Sequence, residues 1–145
     1  MKVKICGITG AADALEAFRL GADIIGLIFV KGTPRRVSYG EAGRILKELR
    51  ECGRTDGFAG LFLDHPTEEV AKRAADLGLD HIQLHGKETP EYCRDLMKRL
   101  NGSGNRMPKI IKAFKVGPDG VQDISGRGHT EYGMVDYLVF DTYDR

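Results

Sequence analysis

Two residues with side chains suited to acid–base chemistry lie in or directly after apolar runs of the sequence. Cys6 lies in the first run, at residues 3–8, and Asp141 follows the last run, at residues 137–140. Most free cysteines are small buried packing residues, but a thiolate beside positive charge acts as a base or nucleophile. A carboxylate at a strand end either caps a following helix or serves as a general acid. Taken alone, each residue leaves both interpretations open.

Three more polar side chains follow other apolar runs. Arg35, after Pro34, is either a solvated loop charge or a clamp for a carboxylate or phosphate group. Gln83 and His85 lie at the end of a short run before Gly86, where a histidine is either a satisfied strand-end residue or part of a binding site. Ligands of parallel-sheet proteins meet the carboxyl ends of the strands, so these side chains are candidates for a site.

A recurring order of apolar run, loop and amphipathic helix must position these residues. Apolar runs begin near residues 3, 24, 58, 81, 110 and 137. Helix caps are predicted at Ser38, with Glu41 at the capping-box spacing, at Thr67, and at Thr89, with Pro90 in the first turn. Six alternating units predict a parallel sheet with helical crossovers, either an open doubly wound sheet or a (β/α)₈ barrel.

Other features of the sequence say less about the fold and the site. No Gly-x-Gly-x-x-Gly motif follows the first run, which argues against dinucleotide binding. Asp64 precedes a proline turn, so a structural role there is favoured. Cys52 and Cys93 fall on predicted helices and are interpreted as packing residues. The stretch 117–134 is glycine-rich, with Val121 and Ile124 as its only helix-like anchors.

The composition excludes several classes of partner. The 145 residues carry 22 lysines and arginines against 21 acidic residues, so no overall field attracts nucleic acid or an anionic membrane. The longest apolar run is far too short to cross a membrane, and no apolar signal segment opens the chain. Three widely spaced cysteines argue against a disulfide framework or a structural zinc site, and they predict a cytoplasmic location.

Five segments together resemble the phosphoribosylanthranilate isomerase family, in the same order and at similar spacings. They are KICGIT at residues 4–9, GLIF at 26–29 leading to Pro34 and Arg35, GLFL at 60–63, IQLHG at 82–86 and VFDT at 139–142. The first and fourth segments are highly specific, and the resemblance covers essentially the whole chain. It implies a (β/α)₈ TIM-barrel fold and an isomerase of tryptophan biosynthesis.

The resemblance also implies roles for individual residues. Cys6 matches the general base of the family, and Asp141 matches its general acid, held across the barrel on the sixth strand. Arg35, Gln83 and His85 match substrate-binding positions, Arg35 near the anthranilate carboxylate. The reaction is an Amadori rearrangement of a sugar-phosphate substrate that uses neither a metal nor an organic cofactor.

The chain is expected to form one partial barrel domain, residues 1–145, with about six of the eight β/α units. Units seven and eight of such barrels hold the substrate phosphate, so at most weak isomerase activity is expected of this chain alone. Open strand edges also predict association, as a homo-oligomer or with a complementing barrel fragment. The alternatives are a non-catalytic fragment that pairs with another chain, and a barrel that acts on a different sugar phosphate.

Overall fold

The computed structural model describes residues 1–102, 106–117, 120–122 and 129–142. Within these ranges the strands are β1 (Lys4–Cys6), β2 (Ile24–Ile28), β3 (Phe58–Phe62), β4 (His81–Leu84), β5 (Lys109–Gly117), β6 (Gly120–Gln122) and β7 (Tyr137–Thr142). The helices are α1 (Ala11–Arg19), α2 (Tyr39–Glu51), α3 (Thr67–Leu77) and α4 (Pro90–Asn101), and a 3₁₀ turn spans His129–Tyr132.

Six strands form a parallel sheet in the order β1-β2-β3-β4-β5-β7. The register places Cys6 opposite Gly26 on β2, and Asp141 opposite Lys115 on β5. β2 and β3 are buried at every position, as the continuous apolar runs predict for strands covered on both faces. The predicted strand–helix alternation is therefore confirmed through the first five parallel strands.

The helices pack side by side, α1 against α2, α2 against α3 and α3 against α4. Residues of β1 and β7 line one common cavity on the sheet, although four strands separate them. In a flat sheet those two strands would lie roughly 24 Å apart, because neighbouring strands are spaced by about 4.8 Å. The sheet therefore curves into a partial barrel, which decides between the two folds that the sequence left open.

Aspartates placed one residue before a strand bind the backbone of the neighbouring strand. Asp23, before β2, accepts a hydrogen bond from Val3 N at 2.7 Å. Asp80, before β4, accepts from Phe58 N at 3.1 Å. Asp136, before β7, accepts from Ile110 N at 2.8 Å. Because each bond joins two adjacent parallel strands at their amino ends, the three aspartates help to fix the register of the sheet.

Two of the three predicted helix caps are confirmed. Ser38 accepts from Glu41 N at 3.2 Å while the Glu41 carboxylate accepts from Ser38 N, which completes the capping box. Thr89 accepts from Tyr92 N at 3.1 Å. The prediction for Thr67 was wrong, because Thr67 is already helical and its hydroxyl donates to Asp95 on α4 at 2.5 Å.

The stretch 117–134 differs from the predicted strand–helix unit. Its described residues contain β6, antiparallel to the end of β5, and the 3₁₀ turn, with no α-helix among them. Val121 lies in β6, whereas Ile124 falls outside the described residues. Tyr132 is buried against Phe114 with their ring centroids 5.2 Å apart, so an aromatic contact holds this connection to the sheet.

Two further expectations from the sequence concern the packing of Cys52 and Cys93 and the lack of a membrane-spanning segment. Cys93 is buried on α4, as predicted, but Cys52 is exposed just beyond the end of α2, so its assignment as a packing residue was wrong. Along the described part of the chain, no helix combines the length and apolar character needed to cross a membrane.

Candidate active site

The carboxyl ends of the parallel strands surround a cavity of about 550 Å³ on the inner face of the sheet. All five side chains selected from the sequence line it: Cys6, Arg35, Gln83, His85 and Asp141. They come from strands β1, β4 and β7 and from the loops that follow β2 and β4. The curvature of the sheet is what brings the first and last of these strands to one cavity.

Cys6 ends β1 and lies over Gly26 of the neighbouring strand. A methyl group at Gly26 would come within 2.9 Å of the Cys6 sulfur and 3.0 Å of Lys4 Nζ. Glycine at this position therefore leaves room for the thiol and the ammonium group on the same side. Lys4 was absent from the candidates drawn from the sequence, although its position two residues before Cys6 places both side chains on one face of β1.

Arg35 reaches Cys6 from the loop after β2. Its Nη1 donates to the backbone oxygen of Cys6 at 3.4 Å, while the side chain remains exposed. The side chain crosses Gly7, where a Cβ would lie 2.7 Å from Arg35 Cδ and where φ is +88°. The backbone conformation favours glycine at that position, and the missing side chain leaves room for Arg35 to cross it. The guanidinium, which carries five N–H donors, is thus held at the edge of the cavity.

Gln83, His85 and Asp141 form a connected row of polar groups. The buried Gln83 side chain contacts His85 Nδ1 through its amide nitrogen at 3.2 Å. His85 Nε2 lies 3.5 Å from a carboxylate oxygen of Asp141. With the amide nitrogen donating to Nδ1, the proton of a neutral imidazole lies on Nε2 and is directed towards Asp141.

Burial lowers the pKa of His85 below its ordinary value. The carboxylate of Asp141 acts in the opposite direction, and the ammonium groups of Lys112 and Lys115 reinforce the lowering. The imidazole is therefore neutral at pH 7, and its contact with Asp141 joins a neutral ring to a carboxyl group rather than two opposite charges.

Asp141 lies inside β7, which excludes the helix-cap interpretation within the described residues. Its side chain is 52% exposed and faces the cavity. Asp64, by contrast, has the structural role that was predicted. Its backbone adopts a positive φ of 53° and its carboxylate accepts from Lys87 N at 2.6 Å.

Two buried charged residues behind the cavity were not among the residues selected as a site. Lys112 is fully buried on β5, and Glu88 is 3% exposed in the loop after β4. Their charged atoms lie 3.1 Å apart. The sequence offered one signal, because Lys112 interrupts the apolar stretch at residues 110–114 of β5, and a lysine is almost never fully buried unless it is paired. Among the described residues, no group of histidine, cysteine, aspartate and glutamate side chains has the arrangement of a metal site.

Comparison with protein families gives one match over nearly the whole chain. A sequence model of the family described as N-(5'phosphoribosyl)anthranilate (PRA) isomerase matches residues 3–142. An N-(5'-phosphoribosyl)anthranilate isomerase of Geobacter sp. strain M21 is 40% identical over 143 residues, which is 98% of this chain and 61% of the relative. One of Rubrobacter xylanophilus is 42% identical over 118 residues, 79% of this chain and 51% of the relative.

Solved structures give the same result for the fold. A phosphoribosyl anthranilate isomerase of Thermotoga maritima superposes with a TM-score of 0.76 at 29% identity, covering all of this chain and 63% of that one. A second isomerase structure, in complex with reduced 1-(o-carboxyphenylamino)-1-deoxyribulose 5-phosphate, superposes with a TM-score of 0.74 and covers 99% of this chain. The present chain spans about 61% of the length of the first curated relative.

Proposed function

The chain belongs to the N-(5'-phosphoribosyl)anthranilate isomerase family, and we propose that it catalyses the rearrangement of N-(5'-phosphoribosyl)anthranilate to 1-(2-carboxyphenylamino)-1-deoxyribulose 5-phosphate. The observation that carries the proposal is the meeting of Cys6, Arg35, His85 and Asp141 at one cavity. The solved relative that holds a reduced form of this product supports the same class of ligand.

In the proposed first step, Asp141 is the general acid. It delivers a proton to the ring oxygen of the ribose while the bond from that oxygen to C1 breaks and the anilino nitrogen lone pair forms a C=N bond. The product of this step is an open-chain iminium with a free hydroxyl. His85, whose Nε2 faces the carboxylate at 3.5 Å, can donate a hydrogen bond to the charge left on Asp141.

In the second step, Cys6 as a thiolate removes the proton from C2. The electron pair of that C–H bond forms a C1=C2 bond, and the electrons of the C=N bond return to nitrogen. The resulting enol becomes the ketone when C1 gains a proton and the C2 hydroxyl loses one, so the overall change is an isomerisation. Lys4 Nζ and the Cys6 sulfur both lie close to the position that a Cβ of Gly26 would occupy, so an ammonium group lies near the proposed base.

Arg35 is proposed to bind the anthranilate carboxylate. A guanidinium presents donors in a planar fork that matches the two oxygens of a carboxylate. Its contact with the backbone of Cys6 ties the position of the aromatic ring to that of the base. Gln83 is proposed to act through His85 by fixing the tautomer of the imidazole.

Single-turnover conversion of the substrate by an excess of this chain tests the proposal. We expect conversion by the unsubstituted chain, and its loss in both Cys6→Ser and Asp141→Asn. Lys72→Met on the exposed face of α3 is a matched surface control. Absence of conversion by the unsubstituted chain, or conversion that survives both site substitutions, would overturn the proposed function. Conversion of another sugar phosphate in preference to this substrate would favour the alternative activity.

We further propose that the chain associates through its outer strands. Among the described residues, β1 pairs with β2 alone and β7 pairs with β5 alone, so each strand has one unpaired edge. Large apolar side chains are exposed there, including Ile5 and Phe140. Open edges with exposed apolar residues favour pairing with further polypeptide. Light scattering coupled to gel filtration would contradict the proposal if the chain remained monomeric at high concentration.

A further inference from the structure

A buried ion pair lies directly behind the turn that carries His85. Lys112 Nζ and Glu88 Oε2 are 3.1 Å apart, and the two side chains are 0% and 1% exposed. Removing two charges from water is costly, and apolar residues of similar size often stabilise a fold as well or better. Stability therefore does not by itself account for a lysine and a glutamate at these positions.

The pair binds both backbone polar groups of Gly86, the residue after His85. Glu88 Oε2 accepts from Gly86 N at 2.8 Å, and Lys112 Nζ donates to Gly86 O at 2.8 Å. Glu88 is itself held by Asp64 N, which donates to Oε1 at 3.0 Å, and by Tyr132 OH, which donates to the Glu88 backbone oxygen at 2.9 Å. One network thus connects the turn to β5, to the 3₁₀ turn and to the loop after β3.

His85 is the one member of this turn that reaches Asp141, and that contact is long, at 3.5 Å. A small rotation of the turn would open it, since the imidazole is joined to the backbone by only two rotatable bonds. Fixing Gly86 on both its amide and its carbonyl removes that freedom. The charges on Lys112 and Glu88 serve this end because charge-assisted hydrogen bonds are shorter and stronger than neutral ones.

We propose that Lys112 and Glu88 are positioning residues whose buried ion pair fixes Gly86 and thereby holds the His85 imidazole against Asp141. This inference rests on the proposed function, in which Asp141 is the acid and His85 stabilises its conjugate base. Neither Lys112 nor Glu88 lines the cavity, so both act through His85 rather than on substrate.

Electrostatic coupling between His85 and Asp141 gives a readout that does not depend on turnover. The pKa of His85 can be followed by NMR titration of its ring in the chain and in Asp141→Asn. Because the Asp141 carboxylate raises that pKa, Asp141→Asn should lower it, and the size of the lowering measures how closely the two groups are held. The other charges that act on His85 are those of Lys112, Glu88 and Lys115.

The decisive variants are Glu88→Asp and the double variant Lys112→Met with Glu88→Gln. Glu88→Asp keeps the charge and shortens the side chain, so any lost coupling reflects position. The double variant removes both charges together and leaves no buried charge unpaired. We expect the effect of Asp141→Asn on the His85 pKa to fall by at least half in both backgrounds.

Two controls separate positioning from general destabilisation. Leu46→Ala weakens the core at a buried position of α2, and Lys72→Met removes the lysine of an exposed pair on α3. Both should retain the coupling of the unsubstituted chain. Full coupling in folded Glu88→Asp would overturn the inference, whether or not the double variant folds, and so would an equal loss of coupling in Leu46→Ala.

Turnover then distinguishes failure of this inference from failure of the proposed function. If Lys112 and Glu88 position the acid, the double variant should lower kcat roughly 10- to 100-fold with a much smaller change in KM. Lost coupling in a chain without isomerase activity would refute the function and leave the positioning role standing. Full coupling, with turnover still abolished by Cys6→Ser and Asp141→Asn, would refute the positioning role alone.

Discussion

Carboxylates at the amino end of the sheet bind backbone, whereas Asp141 at the carboxyl end faces a cavity. Asp23, Asp80 and Asp136 each accept a hydrogen bond from a backbone N–H, at 2.7 to 3.1 Å. Asp141 instead projects into a cavity of about 550 Å³, and its contact with His85 is 3.5 Å long. Asp23, Asp80 and Asp136 thus complete the fold, whereas the same type of side chain at Asp141 remains available for chemistry.

Two histidines, one at each end of β4, extend the comparison. His81 at the start of β4 lines a smaller cavity, of about 210 Å³, at the amino end, while His85 lies at the carboxyl end. Burial is the main cause that lowers the pKa of both. Only His85 has the proposed acid, Asp141, beside its ring. His85 at the carboxyl end is therefore a candidate for function, and His81 at the amino end is not.

The largest effect that could break this comparison is expected at Asp141. Asp141→Asn preserves the shape of the side chain and removes the transferable proton, so kcat/KM should fall roughly 100- to 10,000-fold. The denaturation midpoint should hardly change, because the side chain is half exposed. Steady-state or single-turnover kinetics beside urea unfolding will measure both, and a large loss of stability would mean that Asp141 is structural.

Asp80→Ala should have the opposite effect to Asp141→Asn, because it should lower the stability of the fold. Loss of the acceptor for Phe58 N is expected to cost about 1–3 kcal/mol of unfolding free energy, because the bond involves a charged group and a partly buried donor. Asp141→Ala is the matched control and should cost less than about 0.5 kcal/mol. Urea titrations of the two variants measure both losses of unfolding free energy. Equal losses would contradict the proposed difference between the two ends of the sheet.

Arg35→Lys would test whether the carboxyl end of the sheet binds the substrate. Lysine keeps the charge but loses the planar fork, so we expect KM to rise on the order of tenfold with a smaller change in kcat. Stability should be unaffected because the side chain is exposed. Kinetics over a range of substrate concentrations measure the effect, and an unchanged KM would remove Arg35 from the binding site.

Acidification should destabilise the chain through both histidines. Their folded-state pKa values lie below the ordinary 6.5, so the unfolded chain binds more protons and stability falls as pH drops from about 6.5 towards the folded values. Each histidine contributes at most about 1.4 kcal/mol per pH unit. Urea unfolding between pH 7.5 and 5.5 should show a shallower dependence in His81→Asn and in His85→Asn, and an unchanged slope in both would contradict this account.

Local sequence signals predicted correctly those features that depend on residues close together in the chain. The Ser38–Glu41 capping box and the Thr89 cap depend on residues three positions apart, and both are present. The Thr67 prediction failed because its hydroxyl binds Asp95 on another helix, which no local pattern reveals. The 3₁₀ turn was missed for the same reason, since Tyr132 is held by its packing on Phe114.

The residues of the candidate site likewise fall into those that the sequence identified and those that it missed. Polar residues at the ends of apolar runs are visible in the sequence, and they identified Cys6, Arg35, Gln83, His85 and Asp141. Lys4 and Glu88 were missed because their significance comes from neighbours across the sheet. Gly26 leaves space for the Lys4 and Cys6 side chains, and Glu88 is buried against Lys112 and the backbone of Gly86.

The order of β1 to β5 and of the four helices, and the polar residues at the strand ends, were determined by the sequence alone, because hydrophobic periodicity and capping act over a few residues. Tertiary structure decided that the sheet curves into a barrel-type fold rather than an open one, and that β1 and β7 meet at one cavity. Those outcomes depend on how twisted strands pack against a layer of helices. Contacts between opposite ends of the chain create the site, and no local pattern encodes them.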